Sequence, residues 1–387
     1  ESCYRQAVAL QSDSVDALAN LGKVLQSQGR FSEAEGDFRK ALAVQSELPD
    51  LYNELGMSLN GQGRPVEAAD VFRQAIVLQP DFHTASSNLL LTLNYSADFA
   101  PEQVFTEHQY WGKTVEACNT PDADHPNTRD PERRLRVAYI SPDFRDHSVA
   151  CFFLPLLENH DAAVLETFCY SDVLQPDAVT QRLTGEADNW RSLVGMSNEQ
   201  VAGLVRADRI DILVDLAGHT ARNRLPVFAS RPAPLQVTWL GYPNTTGLSA
   251  MDYRMVDAWT DPEGAADGFY AESLVRLPDG FLCYRSLTTT PELTVCPSLE
   301  TGHVTFGSFN SFVKMTPAVF RTWAKLLHAL PGSRLLLKNF SLNDPDIRAQ
   351  CQDAFLSLGI GRERLELHAI LPSKQAHMEL YRRIDIA

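Results

Sequence analysis

The chain is short of several things, and each shortage closes a class of function. No apolar run approaches the length of about 18 residues that crosses a bilayer. No Lys/Arg block occurs and the formal charge is −15. Wholesale binding to nucleic acid or to an anionic membrane is thereby excluded, and room is left only for a local basic pocket. The seven cysteines, Cys3, Cys118, Cys151, Cys169, Cys283, Cys296 and Cys351, are odd in number, scattered and free of any CxxC. That pattern excludes a disulfide framework and zinc spacing, and predicts reduced, mostly buried thiols in a cytoplasmic protein. The N-terminus lacks a charged-then-apolar leader pattern. GxGxxG is absent, and with it the ordinary dinucleotide fingerprint. What is present is ordinary for a soluble globular chain: 387 residues, 44% apolar and 21% charged, enough for two to three domains.

The first hundred residues repeat themselves. LANLGKVLQSQGRFSEAEGDFRKAL from Leu18 aligns with YNELGMSLNGQGRPVEAADVFRQAI from Tyr52 at an offset of 34, matching Leu21/Leu55, Gly22/Gly56, Gly29/Gly63, Ala34/Ala68, Phe38/Phe72 and Ala41/Ala75. This period, with small residues where two antiparallel helices approach, is the tetratricopeptide pattern. Tyr4 and Ala7 continue the phase backwards, and His83, Leu89 and Leu93 continue it forwards. Stacked repeats present a concave face suited to extended polypeptide. Asn20 and Asn88 share a repeat position, where Glu54 interrupts an amide ladder; the same positions read equally well as solvated polar sites. Pro101 to Cys118 reads as a further amphipathic helix, with Val104, Phe105, His108, Trp111 and Val115 on one side. The polar stretch 119–133, with Pro121, Pro126 and Pro131, reads as a linker.

At Leu135 the pattern becomes strand-then-helix, which predicts α/β architecture with a mostly parallel sheet. The central stretch Ile210 to Gly247 holds two apolar runs, Ile210–Leu216 and Leu235–Leu240, each ending in a glycine-flanked polar loop. Such runs read as buried parallel strands, whose carboxyl ends carry ligand sites in open sheets. Asp215 and His219, four apart, read as an acid/base or ligand-orienting pair, or else as a cap and a packed loop histidine. Asp143 and His147 fall in the loop after the strand at Leu135, before a helix starting near Ser148. A second α/β unit begins at Val304: strands at 304–309, 334–338 and 365–368 alternate with helices at 317–329, 344–358 and 373–383. IDIA then opens another strand, which predicts that the polypeptide continues. Lys314, just past a strand end, suits a phosphate or is a plain surface lysine; Lys374 and His377 share a helix face. The DxD patterns Asp122–Asp124 and Asp344–Asp346 lie in a linker and a helix start, and no metal site is expected.

The combination of repeats, RVAYISPDFRDHSV, DILVDLAGHT, RPAPLQVTWLGYPNTTG with MDY, and FNSFVKMTP resembles the O-linked N-acetylglucosamine transferase family, over essentially the whole chain. The short spacer at 285–302 resembles bacterial members. The resemblance implies a GT-B fold: repeats at 1–98, a helix and linker at 99–132, a first Rossmann-like lobe at 133–300 and the start of a second at 301–387. It implies an inverting, metal-independent transfer of N-acetylglucosamine from UDP-N-acetylglucosamine to Ser/Thr hydroxyls, with no other cofactor. The protein acceptor would occupy the repeat groove and the cleft between lobes. His147, Asp215 and His219 match family positions beside the sugar and acceptor; Lys314 matches the diphosphate lysine, and Lys374 and His377 the uridine helix. The family's glutamine before that lysine is Ser311 here, and its glycine in LGYPGT is Asn244. A further helix-start loop of the donor site would follow Ala387, so the chain as written is expected to be inactive and the whole protein active. Two other readings stand beside this one: a Spindly-type protein O-fucosyltransferase using GDP-fucose, and a non-catalytic scaffold whose repeats bind a partner.

Overall fold

The computed structural model describes residues 1–387 except 120, 122, 123, 131, 288, 289, 293 and 294. Asp122 of the first DxD pattern and Pro131 of the expected linker therefore lie outside the described residues. Packing divides the chain into two units, Glu1–Asp98 with Thr288–Ala387, and Phe99–Leu287. The repeats thus pack with the last hundred residues. The helix after the repeats packs with the central sheet.

In the first unit, α1 (Ser2–Leu10), α2 (Val15–Ser27), α3 (Phe31–Val44), α4 (Pro49–Gly61), α5 (Pro65–Leu78) and α6 (His83–Leu93) are the repeat helices. The small residues sit where the period placed them, for a steric reason: a Cβ at Gly56 would lie 2.6 Å from the Phe72 ring. Gly29 and Gly63 close the inter-helix turns at φ of +76° and +73°, a region that costs other residues about 1–2 kcal/mol. The amide ladder is only partly realised. Asn20 is exposed, while Asn88 Nδ2 donates to Asn53 Oδ1 at 2.8 Å. After α12 (Pro297–Thr301) comes a parallel sheet, β8 (Thr305–Ser308), β9 (Arg334–Lys338) and β10 (Leu365–His368), in the order β10-β9-β8. Helices α13 (Pro317–Ala329), α14 (Pro345–Ser357) and α15 (Lys374–Leu380) complete it. The strand expected at IDIA is present as one parallel pairing, Phe306 with Ile386, on the open edge of β8.

The second unit carries α7 (Pro101–Ala117) and a seven-stranded sheet in the order β3-β2-β1-β4-β5-β6-β7. Its strands, all parallel, are β1 (Leu135–Ser141), β2 (Leu165–Ser171), β3 (Asn189–Ser192), β4 (Ile212–Asp215), β5 (Leu235–Thr238), β6 (Tyr253–Asp257) and β7 (Ser273–Leu277). Helices α8 (Ser148–Glu158), α9 (Ala178–Glu186), α10 (Asn198–Ala207) and the short α11 (Leu225–Ala229) connect them. Val137, Tyr139, Val214 and Val237 from the central strands, with Phe153 and Leu157 of α8, form one buried cluster. No helix among the described residues is long and apolar enough to cross a membrane.

The expectation of mostly buried thiols is corrected. Only Cys169, on β2, and Cys351, in α14, are buried; Cys3, Cys118, Cys283 and Cys296 are exposed, and all seven are free. Those four lie at helix ends and in connecting segments, where the sequence gives no packing partner.

Candidate functional site

In the sheet of the second unit the chain leaves β1 outward to β2 and β3, then returns to the other side of β1 as β4. The switch point, where doubly wound sheets bind ligands, therefore lies between the ends of β1 and β4. The loops that carry Asp143, His147, Asp215 and His219 flank it, as their spacing predicted.

His147 is the N-cap of α8, and its Nδ1 accepts the Val149 N–H at 3.3 Å. That bond places the neutral ring's proton on Nε2. Burial holds the imidazole below its ordinary pKa, with Asp143 opposing and Arg145 reinforcing. Asp143 Oδ2 stands 3.7 Å from Nδ1, beyond hydrogen-bond range, and so does not hold a proton on that nitrogen in place of the bond from Val149. At neutral pH His147 therefore offers an Nε2–H donor.

Asp215 and His219 are brought to the same place and buried there, at 1% and 0% exposure. Asp215 ends β4 and accepts from Ala217 N at 3.1 Å, Gly218 N at 2.8 Å and the Thr238 hydroxyl at 2.8 Å. Burial pushes its pKa up to about 6, against those donors and Arg254. His219 Nε2 donates to the Thr246 carbonyl at 2.9 Å. Its ring lies edge-on to Trp111 at 4.5 Å, with His108 at 5.3 Å and Tyr242 at 5.2 Å. In His108, Nδ1–H donates to Val104 O and Nε2 accepts the Tyr242 hydroxyl, each at 2.7 Å. Of the plainer reading, the packed loop histidine is realised; Asp215 caps no helix, because none begins between β4 and α11 among the described residues, and its carboxylate instead holds the turn N–H groups of Ala217 and Gly218. What they do here is fix the two loops at the switch point.

Burial lowers His108 to about 4 and His219 well below its ordinary 6.5. The signs then fix a pH response. A histidine lowered on folding withdraws about 1.4 kcal/mol of stability per pH unit below 6.5, until its folded pKa is passed. Asp215, raised on folding, returns the same amount per unit below about 6. Two histidines outweigh one carboxylate. Thermal denaturation should show a midpoint that falls between pH 7 and pH 5, with the lowered His147, His160 and His377 acting in the same direction, and the fall should be reduced in part by His108→Gln; equal midpoints would contradict it.

Residues that the sequence did not single out hold the loop after β5. Glu272, buried, accepts from the Thr245 hydroxyl at 2.6 Å, the Thr246 N–H at 2.7 Å and the Thr246 hydroxyl. Arg254 donates to the carbonyls of Tyr242 and Asn244 at 2.6 and 2.7 Å. Asn244 lies outside the left-handed region, so its backbone does not require the family's glycine. The stretch Tyr242–Thr246 is legible as a loop after an apolar strand, but nothing in the sequence ties it to Glu272, 26 residues beyond Thr246.

In the first unit the chain runs outward from β8 to β10 and crosses back beside β8, so a second switch point lies between β8 and Ile386. A cavity of about 400 Å³ opens there, lined by Ser308, Phe309, Asn310, Tyr381 and Ile384. Phe309 and Tyr381 pack edge-on at 4.5 Å, with His377 5.2 Å from Phe309. Burial lowers the His377 pKa, and the charges of Lys338 and Lys374 lower it further. His377 Nδ1 is buried with no hydrogen-bond partner among the described residues. Lys314 ends the 3-10 turn Phe312–Lys314, exposed between buried Val313 and Met315 and with no ion pair among the described residues. Ser311 gives its carbonyl to the Lys314 N–H at 3.0 Å. The second DxD pattern is a helix cap: Asp344 Oδ1 accepts Asp346 N at 2.9 Å and Oδ2 accepts Ser32 N at 2.7 Å. Aromatic rings at this cavity, with Lys338 at the end of β9, Lys314 in the turn after β8 and Lys374 at the start of α15, suit a nucleoside diphosphate.

Comparison with known proteins agrees with this architecture. Residues 113–294 match the model of glycosyl transferase family 41, and residues 1–43 and 19–81 match a tetratricopeptide repeat model. A probable UDP-N-acetylglucosamine–peptide N-acetylglucosaminyltransferase SPINDLY of Arabidopsis thaliana is 41% identical over 310 residues, 78% of this chain and 34% of that protein. The Petunia hybrida protein of the same name is 38% identical over 311 residues, 78% of this chain and 33% of the relative. The chain thus spans about a third of the length of these curated relatives. A solved structure of a mutant Thermobaculum terrenum O-GlcNAc transferase superposes with a TM-score of 0.91 at 35% identity, covering 99% of this chain and 72% of that one. On the strength of that shared sequence and fold, the chain belongs to glycosyl transferase family 41.

Proposed function

We propose that this chain belongs to an enzyme that transfers N-acetylglucosamine from UDP-N-acetylglucosamine to Ser/Thr hydroxyls of proteins, inverting the anomeric centre without a metal. The observation that carries this is the cavity at the end of β8, lined by Phe309 and Tyr381, with His377 packed on both rings, while Lys338 ends β9 and Lys374 opens α15. The names of the plant relatives and of the bacterial structure, all transferases of N-acetylglucosamine, support the same donor. In the transfer, the acceptor oxygen bonds to the sugar's anomeric carbon as the bond to the diphosphate breaks. The electron pair leaves with UDP, and the hydroxyl proton passes to a base. Lys314, with its exposed ammonium, meets the charge on the departing diphosphate, and Lys374 and His377 hold the uridine side. His147 donates from Nε2 to an oxygen of the sugar or diphosphate. Asp215 and His219 act as positioning residues, through the loops that they brace. The repeats hold the polypeptide acceptor.

The Spindly-type alternative, with GDP-fucose as donor, is kept by the similarity to plant SPINDLY proteins. Calorimetric titration of the protein with UDP, GDP and UDP-N-acetylglucosamine separates the readings. UDP binding that weakens in Lys314→Ala, with transfer unaffected by EDTA, is the expected result. Selective GDP binding would favour the fucosyl donor, and a folded protein that binds neither nucleotide would leave only the scaffold.

A further inference from the structure

The Gly-Arg turns of the repeats do not end in open solvent. Within the unit formed by Glu1–Asp98 and Thr288–Ala387, they are seated on the turns that follow β8 and β9. Gly63, at φ +73°, faces Phe312: a Cβ there would lie 3.3 Å from two atoms of the Phe312 ring. Helix α4, which leads into that turn, packs on Phe312–Lys314. The preceding repeat makes the matching contact on the neighbouring strand. A Cβ at Gly29 would lie 2.8 Å from the Phe340 carbonyl oxygen, and the Gln28 carbonyl accepts from Asn343 Nδ2 at 2.5 Å. The Ser32 N–H, which no residue of its own helix can satisfy at the start of α3, donates to Asp344 at 2.7 Å. One carboxylate thus serves the N-termini of two helices, α3 of the repeats and α14 of the lobe. Phe31 meets Phe340 edge-on at 6.0 Å and packs against the cluster that contains Phe312, Met315 and Leu342.

Both seats are turns beyond the carboxyl ends of parallel strands: Phe312–Lys314, which includes Lys314, follows β8, and Phe340–Asn343 follows β9, which ends in Lys338. We propose that the repeat turns position the diphosphate-side lysine, with Gly63 and Phe312 acting as positioning residues for Lys314. The repeat array is then part of the scaffold of the donor site as well as a polypeptide-binding module. The coupling is short and mechanical. Phe312, Val313 and Met315 are buried, so the backbone of Lys314 starts wherever the Phe312 ring is seated. Its flexible stem cannot recover a displaced origin without losing conformational freedom. This inference rests on the reading that Lys314 meets the donor's diphosphate.

The test is calorimetric titration with UDP of Gly63→Ala, Lys314→Ala and the double variant, with thermal midpoints measured beside them. Gly332→Ala is the control, because Gly332 has φ +85° and no atom within 4 Å of an added Cβ. It meets the same backbone strain without pressing on Phe312. Gly63→Ala should weaken UDP binding by roughly threefold to tenfold, while Gly332→Ala lowers the midpoint and leaves affinity unchanged. In the Lys314→Ala background the Gly63 substitution should change UDP affinity no further. Unchanged UDP affinity in Gly63→Ala, or an undiminished effect once Lys314 is gone, would overturn the inference while leaving the transferase reading intact. Failure of the unsubstituted protein to bind UDP or GDP would instead overturn the transferase reading, and this inference with it. Should Gly63→Ala not fold, Phe312→Leu keeps the ring's seat apolar and is read in the same way.

Discussion

Replacing Lys314 by alanine should lower affinity for UDP by about tenfold to a hundredfold and leave the thermal midpoint where it was. The size follows from one charge-assisted hydrogen bond to a phosphate, worth about 1.5–3 kcal/mol. The unchanged midpoint follows from the structure: the Lys314 side chain is exposed and makes no ion pair among the described residues. An exposed ammonium is also screened by salt, so the difference between the two proteins should shrink as ionic strength rises. Lys314→Arg keeps the charge but replaces a compact ammonium by a planar fork, and should recover only part of the loss. Calorimetry at low and high salt gives all of these values. A Lys314→Ala protein that binds UDP as tightly as the parent would remove this lysine from the donor site.

Gly241→Ala should cost the Phe99–Leu287 unit at least about 3 kcal/mol, which for a unit of this size is a fall in midpoint of roughly 10 °C. Gly241 has no need of a left-handed backbone; its problem is space. An added Cβ would lie 2.0 Å from the Leu216 carbonyl oxygen and 2.6 Å from its carbon. A backbone carbonyl cannot rotate away as a side chain can, so the loops after β4 and β5 would have to separate. Separation would strain the Asp215–Thr238 hydrogen bond that ties these strands at their ends. Gly195→Ala is the useful comparison, since Gly195 sits at φ +80° with nothing within 4 Å. It meets strain without a clash and should lose only about 1 kcal/mol. Thermal melts followed by circular dichroism compare the two directly. Similar midpoints would show that the loops yield, and that their close approach is not what holds the switch point.

Much of this architecture was legible residue by residue. The match of Gly22 to Gly56 and of Phe38 to Phe72 at one period fixed the helix pairs, because a ring and a missing Cβ must meet at the same place in every repeat. Helix α13 and strands β9 and β10 lie at the residues expected from apolar runs and flanking prolines or glycines. Strand β3 was not legible. Asn189–Ser192 is a half-exposed edge strand with neither an apolar run nor alternation, and only its pairing with β2 makes it a strand. The five-residue helix α11 falls within a stretch whose apolar content reads equally well as loop core.

The sequence by itself determined the repeats, the parallel α/β order and the placement of Asp143, His147, Asp215, His219 and Lys314 at strand ends, because those depend on spacing and on local backbone preference. Tertiary structure decided what each of them faces. Strand β4 lies between β1 and β5, so its terminal Asp215 is closed over and spends its oxygens on neighbouring loops. His147 stays half-exposed because it lies in the loop beyond the end of β1, where it caps α8, and that cap fixes which nitrogen carries the proton. His108, Trp111 and Tyr242 become neighbours of His219 only when α7 packs on the sheet, a contact that no period in the sequence encodes. In the other unit, the seat of Phe312 on a repeat turn is likewise set by packing between segments about 250 residues apart. Local spacing fixes where a side chain starts, whereas burial and partners are fixed by strand order and by helices that arrive from elsewhere in the chain.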